Sequence, residues 1–393
     1  MKHVTLRNCL NLIKKHPDVP SILILLAVIG ILIVSFFLQG CDNSEGEISQ
    51  TTESTFLVKG TYLTDPCGDT VILKGVNKMS VFDMEDPNGS VYFAEIAKTN
   101  ANSVRIVWKK VYSNENPSQP SQLDALISNC IQAKMIPIVE MHDATCDWSE
   151  LDNVVNYWIS PDILAIVKKY EHAMIVNIAN EAGDANVTAE QFKAGYQNAI
   201  TKLRNAGIKT PLIIDAPDCG KNLELIVPLA SDLIQHDPQH NLLFSAHPYW
   251  SITDGATPAF IKGQLDNAAN NNVPLILGEL CAYGGYPGNG AEGTESCTAK
   301  GAVDYTALLS ESAKHKIGWL VWEWGPGNGF YELDPIVYCP TMDMTTNGTY
   351  QTILDIQQDD VNAWAKDVVI TNSYGIQKTA HKTDYISNGF LCK

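Results

Sequence analysis

The segment Met-Ile-Val-Asn-Ile-Ala-Asn-Glu (174–181) has the pattern of a buried β-strand that ends on a carboxylate. The run Pro-Leu-Ile-Leu-Gly-Glu-Leu (274–280) repeats this arrangement with Glu279. A carboxylate at the end of a strand buried on both faces is costly unless it faces a polar site. The two glutamates lie three β/α units apart in the chain. We therefore predict that they face each other across a parallel barrel.

Strand-like runs recur along the chain, separated by amphipathic helical segments such as Gln122–Ala133 and Ala189–Ala206. This alternation predicts a single α/β domain, a (β/α)8 TIM barrel over residues 56–393. A doubly wound sheet is the alternative, but no G-x-G-x-x-G follows the first strand. A short N-terminal hairpin, Phe56–Leu63, is expected to plug the bottom of the barrel. The predicted barrel strands are Val71–Asn77, Ser103–Trp108, Ile136–His142, Met174–Glu181, Leu212–Pro217, Leu242–Tyr249, Leu275–Leu280 and Ile317–Trp324.

Composition excludes several classes of function. The 393 residues are 45% hydrophobic, enough for a large core, and their net charge is −17. Such an acidic chain offers no Lys/Arg stripe to follow phosphates, so we expect no nucleic-acid partner. No C-x-x-C or H-E-x-x-H spacing occurs, and we expect neither a metal nor a cofactor.

The N-terminus has the pattern of an export signal. Basic residues precede an uncharged apolar run over 21–38, which is followed by Leu38-Gln39-Gly40-Cys41. We predict a lipoprotein-type signal peptide over 1–40, lipidation of Cys41 and a polar flexible tether over 41–55. An uncleaved signal anchor is the alternative, since 18 apolar residues reach spanning length. Either interpretation predicts an exported protein, held at a membrane or secreted.

Cysteine number agrees with export. Apart from Cys9 and Cys41, the chain has eight cysteines, an even set that indicates disulfides in an oxidising compartment. We predict one bridge, Cys281–Cys297, because these two residues flank a glycine-rich loop after the seventh strand.

Functional side chains cluster where the predicted strands end, which is where a barrel builds its active site. Taken singly, each has an ordinary structural interpretation as a core or hydrogen-bonded residue. Together with the two glutamates they indicate one site, and an arginine within an apolar strand needs a carboxylate partner. These residues are Arg105, His142, Asn180, His247, Tyr249 and Trp322.

Several segments of the chain match those of a known family in the same order. They are Lys-Gly-Val-Asn (74–77), Asn-Ser-Val-Arg-Ile-Val (102–107), Glu-Met-His-Asp-Ala-Thr (140–145), Val-Asn-Ile-Ala-Asn-Glu (176–181), Leu-Arg-Asn-Ala-Gly (203–207), Ile-Ile-Asp-Ala (213–216), Leu-Gly-Glu (277–279) and Gly-Trp-Leu-Val-Trp (318–322). These segments resemble glycoside hydrolase family 5, and within it the bacterial endo-β-1,4-mannanases. The resemblance spans about residues 56–330 and implies a (β/α)8 barrel that hydrolyses glycosidic bonds with retention.

The resemblance also implies a role for each residue. Glu181 is implied as the acid/base and Glu279 as the nucleophile, kept ionised and oriented by Arg105 and Tyr249. Asn180 is implied to hydrogen-bond the 2-hydroxyl of the sugar at the cleavage site. His142 and His247 are implied to line that subsite, and Trp322 to form the floor on which the sugar ring stacks. Three further tryptophans, Trp148, Trp250 and Trp324, are candidates for outer subsites.

The sequence departs from the mannanase pattern at several substrate-contact positions. Lys78-Met79-Ser80-Val81-Phe82 replaces a His- and Trp-containing segment, and Ala182 and Gly183 follow the acid/base in place of an aromatic residue. The expected activity is therefore an endo-β-1,4-glycanase on mannan or glucomannan, with cellulose or another β-glucan as the alternative. A non-catalytic glycan-binding lipoprotein is the alternative from a different class. We expect a monomer whose partner is a β-linked polysaccharide.

Overall fold

A computed structural model of the protein describes residues 55–83, 85–113, 116–283, 302–326, 342–360 and 362–393. Eight parallel strands close into a barrel, in which the first and last strands are adjacent, and a three-stranded antiparallel sheet precedes them. The predicted (β/α)8 fold is confirmed. The strands are β1 (Leu57–Lys59), β2 (Tyr62–Thr64), β3 (Thr70–Val71), β4 (Lys74–Lys78), β5 (Ser103–Trp108), β6 (Val111–Ser113), β7 (Asn116–Pro117), β8 (Ile136–Met141), β9 (Ile175–Asn177), β10 (Leu212–Asp215), β11 (Leu242–Ala246), β12 (Leu275–Leu280) and β13 (Gly318–Val321).

Several strands are shorter than their apolar runs. The run 174–181 forms a strand only over Ile175–Asn177, and the run 242–249 ends its strand at Ala246. Ladder pairing stops there, and the chain turns into loops; Glu181 has a φ of 47°, a left-handed conformation incompatible with a strand. The apolar runs in the sequence therefore extend beyond the residues that form hydrogen-bonded strands.

Helices surround the barrel on its outer face, and short ones follow it at the C-terminus. Apart from the last helix, their apolar sides pack against the outward-facing strand residues in one continuous core. They are α1 (Tyr92–Ala97), α2 (Pro120–Gln132), α3 (Leu151–Trp158), α4 (Pro161–Tyr170), α5 (Ala189–Asn205), α6 (Leu223–Ile226), α7 (Ala230–His236), α8 (Pro258–Asn270), α9 (Tyr305–His315), α10 (Tyr350–Asp355), α11 (Ala363–Lys366), α12 (Ile376–Thr379) and α13 (Asp384–Ser387).

The barrel interior has two layers that follow from strand alternation. The lower layer is apolar and is made by Ile138, Ile175, Ile213, Leu243, Ile276 and Leu320. In a strand, residues two apart point to the same face. Four of these strands carry a buried polar residue two positions after the apolar one, namely Glu140, Asn177, Asp215 and Ser245. The interior therefore changes from apolar to polar toward the C-terminal ends of its strands.

The N-terminal hairpin closes the bottom of the barrel, as the sequence predicted. Phe56 is fully buried in the lower interior cluster. Asn241, just before β11, holds the hairpin in place: its Oδ1 accepts from the Val58 N–H at 2.9 Å, and its Nδ2 donates to the Phe56 carbonyl at 3.0 Å.

The C-terminal segment packs beneath the barrel beside this hairpin. Tyr385, Ile386 and Phe390 join the lower cluster, and a disulfide links Cys392 to Cys67. The two ends of the described chain are thus joined covalently.

Among the described residues, no helix is both long enough and apolar enough to cross a membrane. The predicted signal peptide, Cys41 and nearly all of the predicted tether lie outside the described residues.

Candidate active site

Arg105 is the centre of the polar upper layer of the barrel. It is fully buried on β5, and its guanidinium reaches three carboxamides, those of Asn77, Asn177 and Asn180, at 2.6–3.0 Å. It also pairs with Glu279 through Nη1 at 2.8 Å. A buried guanidinium needs partners of this kind to offset its loss of hydration.

Glu279 is held by a cation and a hydroxyl. Its Oε1 accepts from Arg105, and its Oε2 accepts from the Tyr249 hydroxyl at 2.7 Å. Burial raises the pKa of Glu279, while the charge of Arg105 and the hydrogen bond from Tyr249 oppose that rise. These partners favour a fixed, ionised carboxylate.

A register shift in β12 helps to aim Glu279. The pairing of β12 with β13 is irregular between Leu277 and Leu280. Such irregularities bend a strand and re-aim a side chain, and they are frequent beside active sites.

Glu181 lies opposite, on the loop after β9. Its Oε1 is 2.8 Å from His247 Nδ1, and its backbone N–H donates to Asp215 Oδ2 at 3.2 Å. Burial, and then the negative charges of Glu279 and Asp215, raise the pKa of Glu181 well above its ordinary value of 4.5. Burial and the charge of Arg105 lower the pKa of His247 well below 6.5, so the imidazole is neutral at neutral pH.

The two carboxyl groups are close together. One polar atom from each of Glu181, His247 and Glu279 lies within 4.8 Å of the other two. This set could in principle ligate a metal ion, but the cation that neutralises Glu279 here is the guanidinium of Arg105. Two carboxyl groups at such a distance, in different electrostatic surroundings, can divide proton transfer and nucleophilic attack between them.

Comparison with known proteins identifies the family. The model of the cellulase family (glycosyl hydrolase family 5) matches residues 65–328, more than half of the chain. The chain belongs to glycosyl hydrolase family 5. It is therefore a glycoside hydrolase.

The chain is also similar to individual proteins, namely two mannan endo-1,4-β-mannosidases and a β-mannanase of known crystal structure. A mannan endo-1,4-β-mannosidase of Salipaludibacillus agaradhaerens is 30% identical over 68% of this chain and 81% of its own length. One from Cellvibrio japonicus is 27% identical over 83% of this chain and 68% of its own length. The crystal structure of a Streptomyces thermolilacinus β-mannanase with mannohexaose has a TM-score of 0.68 at 25% identity, covering 84% of this chain and 98% of that one.

His142 and Trp322 form a wall of the family 5 site. Their rings stack at 5.9 Å with an interplanar angle of 8°. His142 Nδ1 is 2.8 Å from Glu140 Oε1, which orients the imidazole. Trp322 reaches the interior by strand alternation, two residues after Leu320.

Both the oxygen and the nitrogen of the Asn180 carboxamide are hydrogen-bonded. Its Oδ1 accepts from Arg105, and its Nδ2 donates to the Thr145 hydroxyl at 2.9 Å. The structure thus brings together all eight residues that the sequence placed at the site.

The three tryptophans proposed for outer subsites have different environments. The prediction is wrong for Trp324, which is fully buried and donates through Nε1 to the Gly348 carbonyl at 2.8 Å. Trp148 is half-buried and packs against Phe192. Trp250 is nearly buried but lines an open cleft of about 420 Å³ beside Tyr249, so it remains a candidate.

The predicted Cys281–Cys297 disulfide is not supported, because Cys281 is a free thiol. Cys297 lies outside the described residues. Cys281 directly follows β12, and its side chain is buried in the core. The other disulfide of the described chain joins Cys146 to Cys219, a pair 73 residues apart.

Four buried residues of the site were missed from the sequence, namely Asn77, Glu140, Asn177 and Asp215. Each is a polar residue within a largely apolar predicted strand, which is the signal that would have found them. Asp215 has the largest consequence, since it contacts both Arg105 and the Glu181 backbone.

Proposed function

We propose that this family 5 enzyme is a retaining endo-β-1,4-mannanase that cuts internal bonds of mannan or glucomannan. The observation that carries the proposal is the carboxylate pair, with oxygens of Glu181 and Glu279 within 4.8 Å. Retaining enzymes place these groups about 5–5.5 Å apart, whereas inverting enzymes leave about 6.5–9.5 Å for a water.

The proposed reaction has two steps. The Glu279 carboxylate attacks the anomeric carbon, while the carboxylic acid of Glu181 donates its proton to the departing glycosidic oxygen. The covalent glycosyl-enzyme is then cleaved by a water that gives a proton to the Glu181 carboxylate, which restores both groups.

The environments of the two groups support these roles. Glu279 has a cation and a hydroxyl donor on its carboxylate, as a nucleophile requires. Glu181 is buried beside a neutral imidazole and two carboxylates; burial, and then the charges of Glu279 and Asp215, favour its protonated form.

The choice of a mannan substrate is supported by the family members to which the chain is similar, which include two mannan endo-1,4-β-mannosidases. The stacked His142–Trp322 wall offers an aromatic face to the apolar side of a pyranose ring, but this contact suits glucose and mannose alike. Cellulose is therefore the competing substrate to test.

The experiment compares galactomannan, glucomannan and carboxymethylcellulose as substrates. We expect faster reducing-sugar release from the two mannans, a rapid early fall in viscosity because cuts are internal, and a first product of β configuration by NMR. Faster hydrolysis of carboxymethylcellulose would make the enzyme a cellulase. Binding of mannan without release of any sugar would favour the non-catalytic glycan-binding alternative.

A further inference from the structure

The Cys146–Cys219 disulfide encloses the backbone that carries Glu181. Cys146 is on the loop after β8 and Cys219 on the loop after β10, on the two sides of the β9 loop. The Cys146 N–H donates to the Glu181 carbonyl at 3.0 Å, and the Cys219 N–H donates to the Gly183 carbonyl at 3.0 Å. Both cysteines of the bridge therefore bind the same three-residue segment, 181–183.

This backbone is held in an uncommon conformation. Glu181, Cys146 and Cys219 have φ values of 47°, 58° and 51°, and none of them is glycine. Left-handed conformations are unfavourable for non-glycine residues, and they persist only where the surroundings impose them. A covalent link between the two flanking loops is such a constraint.

The same bridge also supports the partner of Glu181. Gly220, the residue after Cys219, accepts the His247 N–H at 2.8 Å through its carbonyl. A Cβ atom on Gly220 would lie 2.7 Å from the His247 Cβ, so the loop and the imidazole are in direct contact. Displacement of the 218–220 loop would move both members of the Glu181–His247 hydrogen bond.

We infer that Cys146–Cys219 is a positioning disulfide, which holds the Glu181 carboxyl group at the distance and orientation that proton transfer requires. The inference rests on the proposed role of Glu181 as acid/base. It assigns the bridge a function in the reaction beyond stabilising the fold. Misplacement of a catalytic group by about 1 Å can cost a hundredfold in rate.

The test compares two disulfide deletions in the full-length enzyme. Cys146→Ser with Cys219→Ser removes the proposed clamp, and Cys67→Ser with Cys392→Ser removes the bridge below the barrel. Both should lower the unfolding temperature. Only the first should lower kcat on galactomannan, by about tenfold to a hundredfold.

Two readouts separate positioning from stability. In the first variant, Glu181 should move toward water and away from Glu279, so the alkaline limb of the kcat/KM profile should shift to lower pH. With a dinitrophenyl β-mannobioside, whose leaving group needs no proton, the first step should be nearly as fast as in the wild type. The second variant should keep the wild-type pH profile.

Reduction of Cys146–Cys219 in an already folded enzyme covers the case in which the first variant fails to fold. In the Cys67→Ser/Cys392→Ser background, dithiothreitol transfers two electrons and two protons to Cys146–Cys219 and becomes its own cyclic disulfide. Activity should fall as the fraction of reduced Cys146 rises, counted by alkylating withdrawn samples, and reoxidation of the unalkylated enzyme should restore it.

Wild-type kcat and pH profile in the reduced or substituted enzyme would overturn the inference. An unmodified enzyme that releases no sugar from any mannan would instead contradict the proposed function.

Discussion

Arg105 places a permanent positive charge in the interior of the barrel, surrounded by carboxylates and amides. It pairs with Glu279 at 2.8 Å and Asp215 at 3.2 Å, while Glu140 is 3.9 Å away. These charges raise the pKa of its guanidinium, so it stays protonated. At the residue scale the site is therefore organised by one cation, and the position of each acid relative to it sets that acid's chemistry.

The two glutamates should respond differently to truncation. Glu279→Ala removes the nucleophile and should abolish turnover of every substrate. Glu181→Ala, with a dinitrophenyl glycoside, should complete the first step and accumulate the glycosyl-enzyme, because no base activates water. Azide, which needs no base, should then restore turnover with retained configuration.

Mass spectrometry of the intermediate and NMR of the azide product check this prediction, with Glu190→Ala on the exposed face of α5 as the control. If both variants lose equal activity on the activated substrate and azide does not rescue Glu181→Ala, the assignment of Glu181 as acid/base and Glu279 as nucleophile would be wrong.

Asp215 should control the pH dependence of the reaction. Its negative charge helps to raise the pKa of Glu181, and the protonated acid is lost as pH rises through that pKa. Asp215→Asn should therefore move the alkaline limb of the kcat/KM profile to lower pH.

The control is Asp232→Asn, which removes the same charge from the surface of α7. It should leave both limbs of the profile in place. A limb that stays unchanged in Asp215→Asn would mean that another group supplies the proton.

At the scale of elements, the seam between β4 and β13 closes the barrel and contains a buried lysine. Lys74 pairs across the seam with Trp319, and its Nζ lies 4.2 Å from the centre of the indole ring. Burial lowers the pKa of Lys74 from 10.5 to about 7. The folded state therefore binds this proton less well than the unfolded chain does.

Lys74→Met should stabilise the fold. The penalty of the native lysine is complete below pH 7 and disappears as pH rises toward 10.5, where both states are neutral. Removal of that penalty corresponds to about 5 kcal/mol near pH 6, since one pKa unit is about 1.4 kcal/mol. Methionine also loses the cation–π contact with Trp319, worth about 0.5–2 kcal/mol, so the gain should be about 3–4 kcal/mol at pH 6 and smaller at pH 9.5.

Urea unfolding at the two pH values measures this difference, with the exposed Lys98→Met as the control. A gain that does not depend on pH would show that better packing of the methionine side chain, and not removal of the buried charge, explains the result.

The elements themselves were largely predictable. All eight barrel strands lie within or beside apolar runs, because a strand covered on both faces must be apolar. Their ends were not predictable: the runs containing Glu181 and Tyr249 extend past the last ladder hydrogen bond. Where a strand stops depends on whether a neighbouring strand continues beside it, and this is a tertiary property.

At the scale of the whole molecule, the described chain is closed at its base by the hairpin, the C-terminal segment and the Cys67–Cys392 disulfide. The site lies at the opposite end of the strands. This separation means that changes at the base should alter stability more than catalysis.

For the complete chain, we propose export and attachment through a lipid on Cys41, a residue outside the described part of the structure. Cys41→Ser should block lipidation and leave the uncleaved precursor. Metabolic labelling with a palmitate analogue and detergent partitioning measure this, with Cys9→Ser as the control. Unchanged processing and partitioning of Cys41→Ser would establish the signal-anchor alternative.

The barrel, the two glutamates and the six residues around them could be predicted from the sequence. Local hydrophobic periodicity and polar residues at strand ends carry that information. The tertiary structure alone decided the convergence of Asn77, Glu140, Asn177 and Asp215 on Arg105, the burial of Trp324 and the pairing of Cys146 with Cys219.

The directions in which the Glu181 and Glu279 side chains point show why these contacts were not predictable. Glu181 reaches the site through a left-handed turn beyond its strand, and Glu279 lies at a register shift. Strand alternation does not predict either feature, since both arise from the loops and strands beside them. Residue type and spacing are local, whereas the direction of a side chain is set by contacts between segments far apart in the chain.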